Sequence, residues 1–153
     1  MNDMFGGCVV QSLDLSSFDT SNVKDMSNMF LGCAAQSINL TSFNTRNVTD
    51  MNNMFYYCKA HSLDLSSFNT SNVIDMSEMF EKCKAQSLDL MSFDISKLKR
   101  IHRMFYECEA QSIDLSSFDT SNVQYMECVF SNCKAQIKVN DFRLELQLQE
   151  DRR

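Results

Sequence analysis

The sequence predicts a single α/β domain in which 25-residue repeats stack as a solenoid with parallel strands and short helical turns. One cysteine recurs in every repeat at a constant interval, with no insertion. Segments such as Ser12–Ser16 alternate polar and apolar side chains, which is the period of a half-buried strand. In segments such as Val23–Cys33, apolar residues lie three or four positions apart, which is the spacing of a helix face. The recurring cysteines are Cys8, Cys33, Cys58, Cys83, Cys108 and Cys133.

The cysteine spacing divides the single domain, residues 1–153, into repeats. A partial repeat, 1–8, comes first, and a degenerate C-terminal cap, 134–153, comes last. One repeat buries too little apolar surface to be stable alone, so each repeat is expected to depend on its neighbours. The full repeats between the two ends are 9–33, 34–58, 59–83, 84–108 and 109–133.

The N-terminal end carries a separate expectation. Met1 falls in the column of Met26 and Met51, in the middle of a repeat. A solenoid normally begins with a cap over its first apolar edge. We therefore expect the chain to be a fragment, or a short reading frame, of a longer repeat protein. An uncapped first repeat also exposes a strand edge, which predicts self-association.

The apolar columns predict which side chains form the core. Two columns belong to the predicted strand, one to the residue that closes it, and two to the segment after the turn. In the order of the chain they are Leu13, Ile38, Leu63, Leu88 and Ile113; Leu15, Leu40, Leu65, Leu90 and Leu115; Phe18, Phe43, Phe68, Phe93 and Phe118; Val23, Val48, Val73, Leu98 and Val123; and Met26, Met51, Met76, Ile101 and Met126.

The second half of each repeat allows two local structures. A short helix over about 28–32 fits the apolar spacing, with Ser27, Asn52 and Ser77 as N-caps. The favoured alternative is a second short strand, Val23–Met26, followed by a single helical turn. At the C-terminal end, the alternating residues 142–149 predict a strand that closes the edge.

Composition excludes two classes of partner. The net charge of −6 and a pI near 4.8 argue against nucleic acid, since phosphate binding needs a basic face. No run of 18 apolar residues occurs, so direct membrane insertion is not expected. No signal peptide or anchor is visible in the sequence.

The cysteine column predicts buried free thiols rather than a metal site. Zinc ligands converge from short C-x-x-C spacings, which this chain lacks. Stacked cysteines point in parallel, whereas a disulfide needs facing Cβ atoms. Cys128 lies outside the column and is expected to be exposed. His61 and His102 occupy unrelated columns and form no catalytic arrangement with an acid and a nucleophile, so neither an enzyme nor a cofactor is predicted.

The outward residues of the predicted strands form a polar column that we name the strand face. The plainer interpretation is a solvated surface, and the functional one is a binding surface for a basic or polar partner, or for cations. Like charges directly opposite one another destabilise a sheet, so the carboxylates carry a cost. The strand face comprises Asp14, Asn39, Asp64, Asp89 and Asp114, flanked by Ser16, Thr41, Ser66 and Ser116.

The fourth repeat departs from the pattern with the only basic cluster in the chain. A solvated variant loop is the plainer interpretation, and contact with an anionic chain or polymer is the alternative. The cluster comprises Lys97, Lys99, Arg100, His102 and Arg103.

The string L-D-L-S-S-F-D-T-S-N-V, with D-M-S-N-M-F after it, resembles the BspA-like leucine-rich-repeat surface proteins of bacteria and the repeat of mycoplasma surface lipoproteins. The resemblance covers about residues 1–133. It implies a right-handed leucine-rich-repeat-like coil, a cell-surface or secreted location, and adhesion or binding to a host or neighbouring-cell surface protein, without catalytic residues. Ala35 and its equivalents stand where the family usually has Leu, which implies a tighter turn. The alternative function is a structural spacer or stalk with no ligand of its own.

Overall fold

Short parallel strands and tight turns make up most of the computed structural model, which describes residues 1–153. The strands form one sheet of two and one sheet of three. A single 3-10 turn, Thr120–Asn122, lies before the last strand. The elements are β1 (Ser12–Asp14), β2 (Ser37–Asn39), β3 (Ser87–Leu88), β4 (Ser112–Leu115), β5 (Gln136–Val139) and α1 (Phe142–Asp151).

The strands pair in parallel at the repeat spacing. Leu13 of β1 lies opposite Ile38 of β2, and Leu88 of β3 lies opposite Ile113 of β4, in each case one full repeat along the chain. Ile113 then lies opposite Ile137 of β5, which comes one position early because the last repeat has lost a residue. The right-handed coil and its likeness to leucine-rich repeats stay predictions.

The third repeat contributes no strand, so the sheet is interrupted in its middle. Its ladder is still intact at the preceding position, where the His61 N–H donates to the Gln36 carbonyl at 3.2 Å. The N–H groups of Leu63 and Leu65 make no backbone hydrogen bond. Their side chains remain buried, so the interruption affects the backbone pairing and not the core.

A second line of parallel contacts runs through the middle of every repeat. Single bridges join Asp25 to Asp50, Asp50 to Asp75, Asp75 to Arg100 and Arg100 to Tyr125. The second short strand expected at Val23–Met26 is therefore reduced to one bridged residue per repeat.

The predicted helical turns are wrong. Within 28–32, the N–H groups of Asn28 and Phe30 donate to the next repeat, to the Asn52 and Met54 carbonyls at 2.9 Å each. The Met29 N–H donates to the Met26 carbonyl at 3.3 Å, which closes a tight turn. A helix needs these donors for its own i−4 carbonyls. Ser27, Asn52 and Ser77 consequently cap no helix.

Successive tight turns produce the apolar spacing of three and four instead. Each repeat has two corners at which φ is positive, as type II turns require at their third residue. Gly32 occupies the second corner of the first full repeat with φ +64°. The equivalent residues are Tyr57, Lys82, Glu107 and Asn132, with φ between +50° and +58°.

Stacked aromatic rings form the centre of the core. Each ring lies over the next at a centroid separation of 5.4–6.0 Å, with interplanar angles of 3–6°. Offset stacking of this kind adds about 0.5–1.5 kcal/mol per pair beyond burial. The rings are Phe30, Phe55, Phe80, Phe105 and Phe130, and all are fully buried.

A ladder of buried threonines satisfies backbone groups inside the molecule. Thr20 Oγ1 accepts the Asn44 N–H at 2.8 Å and donates to the Asn44 carbonyl at 3.2 Å. Thr45 makes the same two bonds to Asn69. Buried polar groups without such partners are costly, so each hydroxyl holds the neighbouring repeat in register.

The C-terminal strand prediction is also wrong, because residues 142–151 form α1. The Asp141 carboxylate caps this helix by accepting the Leu144 N–H at 2.9 Å. The same carboxylate accepts the Thr120 N–H at 2.9 Å, so it joins the helix to the last full repeat. Leu144 is fully buried and Leu148, one turn further along the same helix face, is half-buried.

The first repeat is less covered than the others. Leu13, Phe18 and Val23 are half-buried, whereas their equivalents in later full repeats are buried. Phe5 of the partial repeat stacks on Phe30 at 5.7 Å. Self-association through this end stays a prediction.

Truncating one ring of the stack tests the core. Phe80→Ala removes a fully buried ring with neighbours on both sides, so we expect a loss of about 3–5 kcal/mol in the free energy of unfolding. Ile74→Ala, at a side chain that is 42% exposed, is expected to cost less than about 1 kcal/mol. Urea denaturation of both variants measures the difference, and equal losses would show that the stack is not the core.

Relieving strain at a corner should stabilise the protein. Glu107 has φ +50° and is exposed, and its ion pair with Lys82 is long, at 3.9 Å. Glu107→Gly should therefore raise the free energy of unfolding by up to about 1 kcal/mol, since glycine adopts positive φ without steric cost. Asn132→Gly is the control with a smaller expected gain, because asparagine tolerates this region better. Destabilisation by Glu107→Gly would contradict the strain argument.

Candidate functional site

The carboxylates of the strand face are held by local turns. Asp64 Oδ1 accepts the Ser66 N–H at 3.0 Å, and Asp89 Oδ1 accepts the Met91 N–H at 3.0 Å. Asn39 makes the same contact to the Thr41 N–H at 3.2 Å. These are Asx turns, in which the side chain replaces a backbone turn acceptor. The column therefore has a structural function in every repeat, whether or not it binds a partner.

The same contacts keep these groups charged. The hydroxyl of Ser116, followed by its N–H and by Lys138, lowers the pKa of Asp114 to about 2. The Ser66 hydroxyl and N–H lower the pKa of Asp64 below its usual value, and the Ser16 N–H and hydroxyl do the same for the pKa of Asp14. The folded state thus favours the ionised form.

Only part of the strand face has neutralising neighbours. Lys138 Nζ lies 3.0 Å from Asp114 Oδ2, and Asn39 Nδ2 donates to Asp14 Oδ1 at 3.0 Å. Asp64 and Asp89 have no cation within ion-pair distance. These two carboxylates border the place where the sheet is interrupted.

A depression of about 220 Å³ lies at that place. Met91 stands on its wall where other repeats have Ser or Thr, and its side chain is 57% exposed. The flexible, polarizable thioether lines the same depression as the two unpaired carboxylates and can adapt to partners of different shape. The remaining lining residues are Leu63, Leu65, Ser66 and Ser92.

The basic cluster of the fourth repeat does not form an open anion-binding site. Arg103 donates two hydrogen bonds of 2.8 Å to Glu81, whose side chain is 1% exposed. The Arg103 guanidinium also lies 4.1 Å from the centre of the Tyr106 ring. Removing one member of such a pair leaves a buried charge. Arg103 therefore has a structural function and is not available to a partner.

The rest of the cluster contacts polar and acidic groups of the neighbouring repeats. Arg100 lies 3.7 Å from Asp75, and His102 Nε2 lies 3.3 Å from Glu78. In the same cluster, the Nζ of Lys97 donates to the Asn72 side chain at 2.6 Å, and that of Lys99 to the Asn122 carbonyl at 3.3 Å. Each basic side chain therefore already has a partner within the chain.

A second acidic column was missed by sequence reasoning, although it was visible as the Asp before Met26, Met51 and Met76. Asp25, Asp50 and Asp75 are bridged in succession, and Arg100 follows them. Burial, with the charges of Asp75 and Asp25, raises the pKa of Asp50 above its usual value, and Arg100 opposes this. The central carboxylate is consequently unfavourable when charged.

The thiols of the cysteine column from Cys33 onward are buried, as predicted, and Cys128 is exposed. Burial raises the pKa of Cys83 to about 11. A buried, protonated thiol is a poor nucleophile and a poor metal ligand. No group of three or more His, Cys, Asp or Glu side chains is arranged to hold a metal ion. The chain has no helix whose length and apolar character would suffice to cross a membrane.

Parallel pairing at a fixed spacing of one repeat, with polar columns on the outside, defines a repeat protein. The chain belongs to the family described as "Mycoplasma protein of unknown function, DUF285", whose sequence model matches residues 1–60 and 32–142. No curated protein and no solved structure matches the chain.

Asp50 and Asp64, one from each acidic column, predict opposite effects of pH on stability. The raised pKa of Asp50 means that the folded state binds its proton more tightly than the unfolded state does. The protonated Asp50 therefore contributes to the free energy of unfolding at low pH, and this contribution is lost as pH rises from 3.8 through the raised pKa. Asp50→Asn should therefore be more stable than the wild type at neutral pH, and the advantage should shrink as the pH falls to about 3.

Asp64→Asn is the matched control with the opposite sign. The lowered pKa of Asp64 contributes stability above its unfolded value, which is lost in acid. This variant keeps the Asx turn, as Asn39 does in its own repeat. Its free energy of unfolding should not exceed that of the wild type at neutral pH. Urea denaturation of both variants from about pH 3 to neutrality measures the two differences, and a parallel response would contradict the assignment.

Proposed function

We propose that this chain is a non-enzymatic repeat module that binds a protein ligand through its strand face. The resemblance to BspA-like surface proteins supports a right-handed leucine-rich-repeat-like coil, a cell-surface or secreted location, and a host or neighbouring-cell surface protein as the ligand. Membership of the family of unknown function is compatible with this role and does not specify it.

The contact between Lys138 and Asp114 is the observation that carries the proposal. Lys138 occupies the strand-face column of β5 and places its ammonium 3.0 Å from Asp114 Oδ2. Asp64 and Asp89 use Oδ1 for their turns, which leaves Oδ2 of each free of a hydrogen bond. A basic side chain of a partner can bind these oxygens as Lys138 binds Asp114.

The depression beside Met91 adds an apolar contact to the charged ones. A partner side chain with an aliphatic stem and a cationic end, such as lysine or arginine, matches this combination. The stem would lie against Met91 and the cation against Asp64 and Asp89. The proposed ligand therefore presents a basic segment.

One observation favours the alternative, a structural spacer. The aspartates of the strand face already hold Asx turns, so their recurrence along the chain needs no ligand. A spacer requires only the regular core and these turns. The two functions differ in whether the isolated chain binds a basic segment at all.

Titration with a labelled hexa-lysine peptide distinguishes them. The double variant Asp64→Asn/Asp89→Asn keeps both turns and removes two negative charges from the strand face. Asp19→Asn/Asp94→Asn makes the same charge change at two other exposed Asx turns, which hold Ser21 and Ser96. We expect the dissociation constant to rise about tenfold in the first variant and less than about twofold in the control, because close charges contribute more than distant ones.

Salt dependence completes the test. The first variant should also lose most of the salt dependence of binding, because the removed charges are the ones that salt screens. Equal weakening in both double variants would show attraction to net charge alone. No binding of hexa-lysine at low salt would favour the spacer.

A further inference from the structure

A second surface lies beside the strand face, on the segment that joins each column cysteine to the strand. We name it the link groove. It is a depression of about 260 Å³, and its lining includes Gln36, Lys59, His61, Lys84, Gln86 and Glu109. None of these residues belongs to the strand face or to the basic cluster.

The backbone beneath the groove is a regular parallel ladder. The Lys59 N–H donates to the Cys33 carbonyl and the Lys84 N–H to the Cys58 carbonyl, both at 2.9 Å. The Gln86 N–H donates to the His61 carbonyl at 2.9 Å. Lys59 and Lys84 thus occupy neighbouring positions of one column, and side chains two residues on share their face. The groove presents its side chains from a rigid base.

The charges in the groove are not balanced within the chain. Lys84 pairs with Glu109, but Lys59 has no carboxylate within ion-pair distance. Gln36 and Gln86 add amide donors around the same space. Lys59 is therefore the one unpaired charge of the groove, and it gives the groove a net positive charge on a protein whose net charge is −6.

A strained, exposed tyrosine lies at the rim. Tyr57 has φ +55° and is 49% exposed. At the equivalent corner, a Cβ built on Gly32 would meet nothing within 4 Å, so the Tyr57 side chain fills no internal gap. A smaller depression lined by Tyr57, Lys82, Lys84, Glu107 and Glu109 shares Lys84 and Glu109 with the link groove. The same positive φ recurs at this corner in the other full repeats, so the side chain alone distinguishes Tyr57, and tyrosine is favoured at interface centres.

Variation among the repeats separates this surface from the strand face. Equivalent positions in every repeat have the same structural environment, so a residue type that is needed for folding recurs along its column. The corner column instead changes from Gly32 to Tyr57, Lys82, Glu107 and Asn132. These side chains are free of a common structural function, which leaves them available for a ligand.

We propose that the link groove docks an extended acidic segment of a partner protein. Carboxylates of that segment accept hydrogen bonds from Lys59 and Lys84, and Tyr57 packs against its backbone and apolar parts. His61 lies on the same face, between the two lysine rows and the strand face. The site is independent of the strand face, which is proposed for basic segments.

A labelled hexa-glutamate peptide is the probe, with hexa-glutamine as the uncharged comparison. Lys59→Glu reverses the unpaired charge and should weaken hexa-glutamate binding at least tenfold. Lys24→Glu makes the same change at an exposed lysine outside the groove and should weaken it less than threefold. Tyr57→Gly should weaken binding at least fivefold while its thermal midpoint does not fall, since glycine suits this corner.

Four results would overturn the proposal. They are equal affinity for hexa-glutamate and hexa-glutamine, equal weakening by Lys59→Glu and Lys24→Glu, unchanged binding in Tyr57→Gly, and displacement of the peptide by free glutamate at the same concentration of carboxylate. The last result would show capture of a single anion rather than an extended segment. The double variant Asp64→Asn/Asp89→Asn should leave hexa-glutamate binding unweakened, so failure at this surface is distinguishable from failure at the strand face.

Discussion

Parallel backbone pairing at a fixed offset is the constraint on which the rest of this structure depends. Donors in the turns reach carbonyls of the following repeat, and the ladder before each strand reaches back to the preceding one. A side chain therefore meets its own counterpart from the neighbouring repeat, row after row. Each column must accept a copy of itself at about 5 Å, the spacing of paired strands. Apolar side chains meet that condition easily, as the stacked rings from Phe30 to Phe130 show.

Columns of charged side chains do not stack easily at this spacing, because like charges repel. Each charged column is stabilised in a different way. On the strand face, Asx turns stabilise the ionised form, which is why the pKa of Asp64 falls. In the second acidic column burial prevails at Asp50, whose pKa rises, whereas at Asp25 burial is outweighed by the hydrogen bonds from Ser27 and the pKa falls. The fourth repeat then supplies the opposite charge, with Arg100 beside Asp75 and Arg103 on the buried Glu81. The basic residues by which the fourth repeat departs from the repeat sequence therefore neutralise acidic side chains of the third repeat.

The same constraint separates structural from available side chains. Residues that recur in a column carry turns, ladders or the core, and their recurrence follows from the fold. Residues that vary include Tyr57 at a corner, Lys59 in a link and Met91 beside the strand face, and all three expose their side chains. The two proposed surfaces both lie where side chains differ between repeats: the strand face beside Met91, at the interruption of the sheet, and the link groove beside Tyr57.

The sequence by itself determined the period, the core columns and the buried cysteines, because each depends only on repetition and side-chain polarity. It also showed the strand-face carboxylates, though not their turns. Tertiary structure decided the rest. Tight turns replaced the predicted helices because neighbouring repeats take the donors of 28–32. Residues 142–151 became α1 because Leu144 and Leu148 also suit a helix face and Asp141 caps it. The pairing of the basic cluster and the shape of the link groove arise from contacts between repeats, which a linear pattern does not contain.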